Sequence, residues 1–444
     1  MLNRIKESFK KYKDNYILPD ITYEKFEKLV DKISNNLADE KFIAVIGEKS
    51  FELYASLIAI TIKQKTFIPI SMSFNKERIE EILKFTNTII VTNEAKDYIK
   101  KLNIKANFIF LDQLKDTKKE YKIKSDYIYM LFTSGSTGKP KAIPISQTNL
   151  LSYLDFVIDK FKINENDIIS QTFDISFDLS MHDIFVAILT GAKLIPIQKT
   201  YLFMPNKIIK KEKITIWFSV PSVLVYMDKL KLLNDNFNSI RLSLFCGEAL
   251  PTYLAKKWQK ATNSKIYNLY GPTEATIAIS YFKFVDTNTK IVPIGKIFDT
   301  QEYLIKDDEL YLSGSQIFDG YLNTKFSPFE IINNKKYYKT GDLVKQTKYG
   351  LEYIARKDNQ IKLNGYRIEL EEIEAVAREN GANSVAVFDD RKNEIVLFSE
   401  KKIDLTKHLP SYMLPKRVII LDKLPLNTNM KFDRKKLKEL LWKN

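Results

Sequence analysis

The sequence predicts an α/β fold: a large N-terminal domain with mostly parallel sheets and a strand-rich subdomain, followed by a small α+β C-terminal domain. Three observations carry this. Apolar strand-like runs alternate with segments of helical period over the first two thirds of the chain. From about Ile291 the pattern changes to short strands punctuated by turns. The length of 444 residues exceeds what one small core organises.

The early strands are "KFIAVIGE" (41–48), "TFIPI" (66–70), "NTIIVTN" (87–93) and "NFIFLD" (107–112), with "SFELYASLIAITIKQK" as a helix among them. The alternation continues through "TIWFSVPS" (215–222), "IRLSLFCGE" (240–248) and "KIYNLYGPTE" (265–274). "DDELYLSG" and "KKYYKTGDLV" are the short strands of the next region. After "LEYIARKDNQIKLNG" (351–365) come a helix in "ELEEIEAVAREN", strands in "SVAVFDD" and "EIVLFSE", and a basic tail, so a boundary is expected at Lys357 and Asp358. No internal repeat or low-complexity linker interrupts the chain.

Hydrophobic residues at 45% and charged residues at 28% are ordinary globular values, so the chain should fold. A lone cysteine, Cys246, excludes an intramolecular disulfide and any multi-cysteine metal site, and with His182 and His408 as the two histidines a zinc centre is not expected. The start, "MLNRIKESFKKYKDNY", has no apolar core behind its basic residues, and no stretch reaches the roughly 18 apolar residues of a spanning helix. A soluble cytoplasmic protein without a membrane span is expected. The net charge of +15, from 70 Lys and Arg against 55 Asp and Glu, attracts anionic partners without choosing among nucleic acid, nucleotide and acidic protein. The lysines are dispersed, as on a solvated surface, and do not cluster into a nucleic-acid arm.

The stretch "MLFTSGSTGKPKAIPISQTNL" (130–150) sets Gly135, Ser136, Thr137, Gly138, Lys139 and Lys141 between an apolar run and a helix-like segment. Its glycines lie too close together for a G-x-x-x-x-G-K-[ST] P-loop. Small residues and hydroxyls nonetheless admit a phosphate chain to backbone N–H groups, and the lysines supply charge. "TSGSTGKPK" resembles the phosphate loop of adenylate-forming enzymes: acyl-CoA synthetases, luciferases and peptide-synthetase adenylation domains. "FDLSMHDIF" (177–185), "NLYGPTE" (268–274), "YKTGDL" (338–343), "ARKDNQIKLNGYRIELEEIE" (355–374), "LPSYMLP" (409–415) and "LPLNTNMKFDRKKL" (424–437) resemble the other core motifs of that family, in its order.

The resemblance implies an ATP- and amino-acid-binding adenylation domain over 1–357 and a mobile lid domain over 358–444. It implies ATP binding by Thr133, Ser134, Gly135, Ser136, Thr137, Gly138 and Lys139, adenine stacking on Tyr270, and ribose contacts from Asp342 and Arg356. Thr273 would contact the α-phosphate, Glu274 would hold Mg²⁺, and Lys431 would act as the late catalytic lysine, stabilising charge as a carboxylate attacks ATP. Asp358 is the implied hinge. Two positions depart from the family pattern, with Ala355 and Met430 each standing where glycine is usual. Taken alone, "YGPTE" and "TGDL" also read as turns, and Lys431 as a surface lysine.

Asp178 occupies the position that pairs with a substrate α-ammonium in amino-acid-activating members, where an unpaired buried cation would be costly. Its other reading is a cap, with Ser180, on a helix beginning around Met181. "LFCGEALP" and "YGPTEATIAIS" bring the resemblance closest to stand-alone D-alanine:carrier-protein ligases. By that resemblance Leu179, His182, Ser219, Leu244, Cys246, Gly247, Leu269, Ile277 and Ala278 line the pocket with Asp178. Cys246 also reads as a small buried hydrophobe. His182 replaces an apolar methionine, which brings in serine as a rival substrate or leaves a satisfied helix residue.

The expected function is therefore ATP- and Mg²⁺-dependent conversion of a small amino acid, D-alanine first, to aminoacyl-AMP, then transfer to the phosphopantetheine thiol of a carrier protein acting in trans. A stand-alone monomer that binds no nucleic acid is expected. The alternatives are a small-acid:CoA ligase, and a non-catalytic nucleic-acid-binding protein on a synthetase scaffold.

Overall fold

A computed structural model of the chain describes residues 1–133, 140–202, 204–426 and 432–443. Among these the strands build two large sheets, a strand-rich region and smaller C-terminal sheets. The first large sheet runs in the order Asn107–Phe110, Thr88–Val91, Phe42–Ile46, Thr66–Ile70, Tyr127–Thr133, Lys141–Ser146. Its strands are parallel until the last, which returns antiparallel. The second runs Lys193–Pro196, Ile168–Gln171, Ile216–Ser219, Leu242–Phe245, Lys265–Tyr270, Ser280–Lys283, Lys296–Ile297. There the first five strands are parallel and the last two antiparallel.

Parallel strands covered on both faces are uniformly apolar, and Thr66–Ile70 and Thr88–Val91 are buried at every position. The helix Phe51–Ile62 starts where Ser50 accepts a hydrogen bond from the Leu53 N–H, and it is buried from Leu53 to Thr61. The helix Asp178–Thr190 is likewise buried almost throughout. Its Phe185 stacks on Phe67 of the first sheet at 6.3 Å, while its other side packs on the strands Ile168–Gln171 and Lys193–Pro196 of the second. An apolar helix buried on all sides thus ties the two sheets together.

After Ile297 a separate, wholly antiparallel sheet follows, formed by Gln301–Lys306, Glu309–Gly314, Lys335–Thr347, Phe329–Ile332 and Gly350–Arg356. Beyond it lie the hairpin Gln360–Leu363/Tyr366–Glu369, the helix Leu370–Glu379, the three-stranded sheet Ser384–Asp389, Glu394–Ser399 and Arg417–Ile420, and the helix Arg434–Lys443. Apolar residues after Gln360 collect into two clusters of their own around Ile373, Leu397 and Met413, and around Val396 and Leu437.

The α/β class, the change of pattern near Ile291 and the α+β C-terminal region match the reading from sequence. The helix start does not. The first helical residue is Asp178, three positions before Met181, and no side chain caps the helix. Ser180 donates instead to the Phe177 carbonyl at 2.7 Å.

Candidate functional site

The site gathers at the carboxyl ends of the parallel strands of the second sheet, the usual place for ligands in an α/β sheet. Its wall is the loop Gly271–Ala278, folded so tightly that a Cβ on Gly271 would lie 2.6 Å from the Ala278 Cα. Thr276 and Ile277 both sit at positive φ, 55° and 73°, an outlying conformation for β-branched residues. Gln316, fully buried, holds them there: its amide donates to the carbonyls of Ala278 at 2.8 Å and Ala275 at 3.2 Å, and the Thr276 hydroxyl donates to its carbonyl at 2.6 Å. The strained turn aims the Ile277 N–H at Asp178.

Asp178, at the first turn of its helix, has the Thr273 side chain and the Leu179 and Ile277 N–H groups beside it, all favouring its charged form. Burial, with the charge of Glu274 nearby, nevertheless pushes its carboxyl up to about 6. No cation is among the groups that act on it most strongly; the Lys362 ammonium lies 5.6 Å from the Tyr270 ring and acts on the neighbouring Cys246. One turn along, His182 is fully buried, and burial drives it down to about 3, so the ring is neutral. Its Nδ1 lies 2.8 Å from the Tyr153 hydroxyl, its ring meets Phe218 edge-on at 4.8 Å, and its Nε2 has no hydrogen-bond partner among the described residues.

Strand register decides which residues share this pocket. Phe218, Leu244 and Tyr267 are cross-strand partners on one face, and two positions on, Cys246 and Leu269 continue that face toward the loop. Leu179, Leu244, Cys246, Leu269, Ile277 and Ala278 all belong to the core cluster on this side. Burial pushes the Cys246 thiol up to about 12, so it is a neutral wall group and no nucleophile. A Cβ on Gly247 would lie 3.4 Å from Leu179 and 3.3 Å from Val220. Ser219 is the exception among the expected pocket residues. The pleat turns its hydroxyl to the opposite face, where it accepts from the Trp217 indole at 3.0 Å, and Phe218 takes its place against His182.

The nucleotide side is dense in paired charge. Tyr270 donates its hydroxyl to Asp342, and Arg356, cross-strand from Asp342, donates to it at 3.0 Å. Arg356 also grips Asp358 at 2.8 and 2.5 Å. Glu274 accepts from Tyr321 at 2.8 Å and from Arg367 at 2.6 Å. Burial opposes its ionisation, yet Arg367 and Tyr321 hold its carboxyl below the ordinary range. Thr133 closes its strand opposite Lys141. Ser134, Gly135, Ser136, Thr137, Gly138 and Lys139, and the expected catalytic Lys431, lie outside the described residues.

The hairpin Gln360–Glu369 reaches the site from the C-terminal region. The Gly365 N–H donates to Glu248 at 2.7 Å, Tyr366 meets Phe177 edge-on at 4.7 Å, and Arg78 lies 3.4 Å from Glu372. Between hairpin and sheets is a cavity of about 490 Å³ lined by Lys49, Thr172, Phe173, Val220, Gly365 and Tyr366 among others. Sequence reasoning did not assign Arg367, Glu248, Tyr153, Tyr321, Lys49 or Asp183. Arg367 and Asp183 lay inside motifs already singled out, whereas Tyr321 carries no local signal. Asp183 is fully buried, neither oxygen has a hydrogen-bond partner among the described residues, and burial pushes its carboxyl well up against the pull of Lys49.

The profile of a family described as "AMP-binding enzyme" matches residues 6–322. The chain belongs to the AMP-binding enzyme family. It is an adenylate-forming ligase, of a class that uses ATP. Among its relatives, gramicidin S synthase 1 of Brevibacillus brevis is 30% identical over 451 residues, 92% of this chain but 40% of that protein. The D-alanine–D-alanyl carrier protein ligase of Staphylococcus epidermidis is 29% identical over 462 residues, 95% of this chain and 94% of that one. Among solved structures, the Vibrio cholerae adenylation domain AlmE in complex with glycyl-adenosine-5'-phosphate superposes with a TM-score of 0.86 at 27% identity, covering 100% of this chain and 97% of that one. No helix among the described residues is long and apolar enough to cross a membrane.

Proposed function

We propose that this AMP-binding enzyme activates a small amino acid, D-alanine first, and passes it to the phosphopantetheine thiol of a separate carrier protein. The observation that carries the reading is Asp178: a carboxyl that burial raises to about 6, beside a neutral His182 and a neutral Cys246. An α-ammonium supplies the missing charge, and a fatty or aryl acid does not. Leu179, Phe218, Leu244, Cys246 and Leu269 form buried apolar walls that favour a short side chain.

In the first step a carboxylate oxygen of the amino acid attacks the α-phosphorus of ATP and pyrophosphate leaves. In the second the thiol sulfur bonds to the acyl carbon, the bond to AMP breaks and the thiol proton is released. Tyr270, Asp342 and Arg356 would hold the nucleoside, and Thr273 the α-phosphate. Glu274 has the hard, buried carboxylate that suits Mg²⁺, which when bound offsets phosphate charge. The cavity beside Gly365 and Val220 offers the thiol arm an entry toward Asp178. Asp358, gripped by Arg356 where the last strand of the antiparallel sheet ends, would be the hinge between an adenylation domain over 1–357 and a lid over 358–444. A cytosolic setting fits the ATP requirement. The ligase of Staphylococcus epidermidis and the glycyl adenylate held by AlmE both support a small substrate.

The test is pyrophosphate exchange across glycine and both enantiomers of alanine and serine, followed by loading of holo-carrier protein against free CoA. Exchange should be strongest with D-alanine, and the carrier should be the acceptor. Preference for a large amino acid would sink the substrate assignment, and acyl-CoA formation would replace the carrier by CoA.

A further inference from the structure

The loop Gly271–Ala278 holds a conformation that its residues do not favour. Thr276 and Ile277 are both β-branched and both at positive φ. The Ala278 N–H donates to the Thr276 carbonyl two residues back at 2.9 Å, so Ile277, at φ 73°, is the centre of a γ-turn of the rare, strained hand. Strain of this kind persists only where the surroundings over-determine it.

Gln316 supplies that determination. Its Nε2 faces three acceptors, the carbonyls of Ala278 at 2.8 Å, Ala275 at 3.2 Å and Thr276 at 3.4 Å, and its backbone carbonyl takes the Thr276 hydroxyl at 2.6 Å. Gln316 is itself fixed from behind. Its N–H donates to Gln301 Oε1 at 3.1 Å, and Asn149, on the helix Gln147–Phe161, donates to the carbonyls of Ser315 and Ile317 on either side of it at 2.8 and 3.0 Å. The nucleotide half of the loop has a separate hold, since the Glu274 carbonyl accepts from the Phe318 N–H at 2.9 Å.

We propose that Gln316 is a positioning residue for amino-acid binding: it keeps the Thr276–Ile277 turn strained, and the strained turn keeps the Ile277 N–H beside Asp178. The inference rests on the function proposed above, in which Asp178 receives the α-ammonium. Without the amide, three buried carbonyls lose their donor and the turn relaxes toward negative φ, carrying the Ile277 N–H away. Thr273 and Glu274, held through Phe318, stay in place.

The test is a double-mutant cycle. In pyrophosphate exchange Gln316→Leu should raise the KM for the amino acid about tenfold or more, the size that releasing such strain implies, and leave the KM for ATP where it was. Thr276→Asn, which accepts positive φ and retains a donor, should change the wild-type values little and recover most of the Gln316→Leu loss. An equal loss in both backgrounds, or a parallel rise in the KM for ATP, overturns the inference, because a merely structural glutamine gives either. Thr276→Val removes only the hydroxyl bond and should raise the amino-acid KM by less; an unchanged KM there overturns the inference if Gln316→Leu does not fold. Urea unfolding separates this claim from the proposed function. Thr276→Asn should raise the unfolding midpoint of the wild type more than that of Gln316→Leu, whose turn is already relaxed, and an equal rise in both means that Gln316 holds no strain. If no amino acid supports exchange, the proposed function falls and the unfolding cycle still decides the clamp.

Discussion

Two buried carboxylates, Asp178 and Glu274, face the same loop and have opposite electrostatics. Asp178 is surrounded by neutral donors and sits raised at about 6, whereas Glu274 is held below the ordinary range, against its burial, by Arg367. On the proposed function, the pocket around Asp178 leaves a charge for a substrate ammonium to neutralise. The nucleotide side has already neutralised its own charges, with Arg356 on Asp342 and Arg367 on Glu274. A pocket of the first kind is a fixed receptor, set by the helix Asp178–Thr190 and the clamped loop. A surface of the second kind must exchange partners before it can work, and part of it rides on a hairpin that belongs to another core.

If that contrast holds, Asp178→Ala has the largest effect of any single change. An ammonium left buried and unpaired costs about 3–5 kcal/mol, so amino-acid-dependent pyrophosphate exchange should fall by about a hundredfold to several thousandfold. The melting temperature should hold or rise, because the substitution removes a buried carboxyl that no cation compensates. A variant that melts early and turns over normally would return Asp178 to a purely structural role.

The second prediction breaks the comparison on its mobile side. Lys431→Ala should lower adenylation by about a hundredfold to a thousandfold, the range for loss of one charge-stabilising donor. Acyl transfer from supplied aminoacyl-AMP should be largely kept if, as proposed, Lys431 belongs to a lid that brings it to the site in one of two poses. Equal loss of both half-reactions, read by single-turnover assays, defeats the two-pose assignment.

The third uses acidity. Below about pH 6 Asp178 is increasingly protonated and cannot pair with an ammonium, so kcat/KM for the amino acid should fall about tenfold per pH unit there. Stability has the opposite sign. A carboxyl raised on folding contributes stability that is complete below its unfolded value near 4 and is lost as the pH rises through about 6. Asp178→Asn should therefore flatten the melting profile between those values, and an unchanged profile would mean that Asp178 is compensated after all.

The fold and the receptor pocket were largely legible because they follow local patterns. Buried parallel strands announce themselves as apolar runs, and Asp178, Tyr270, Glu274, Asp342 and Arg356 sit in ordered motifs. Ser219 shows where that reading stops. Its strand was located correctly, but the pleat alternates faces, and one residue of misregister exchanges Ser219 for Phe218. The cap expected on a helix from Met181 failed because Asp178 turns its carboxyl to Thr273 and the Ile277 N–H, groups almost a hundred residues away. Arg367 was visible as a residue but not as the partner of Glu274, since a contact between two cores leaves no periodic trace in either.

The smallest expected effect sharpens the receptor side. Burial holds His182 neutral, its Nδ1 pairs with the Tyr153 hydroxyl, and its Nε2 has no partner among the described residues; in the tautomer where Tyr153 donates, Nε2 carries the proton and is a buried donor lacking an acceptor. A substrate hydroxyl could accept it, and a neutral hydrogen bond is worth about 0.5–1.5 kcal/mol net. Serine should therefore lose about twofold to tenfold in kcat/KM in His182→Met, while alanine gains from the filled apolar space. A site that recognises a hydroxyl rejects alanine strongly, whereas an apolar one rejects serine only weakly. The wild-type ratio of serine to alanine, compared with that of His182→Met and of Tyr153→Phe, decides between them. If the three ratios agree, the Nε2 donor faces protein and not substrate, and the specificity rests on Cys246, Leu244 and Leu269 alone.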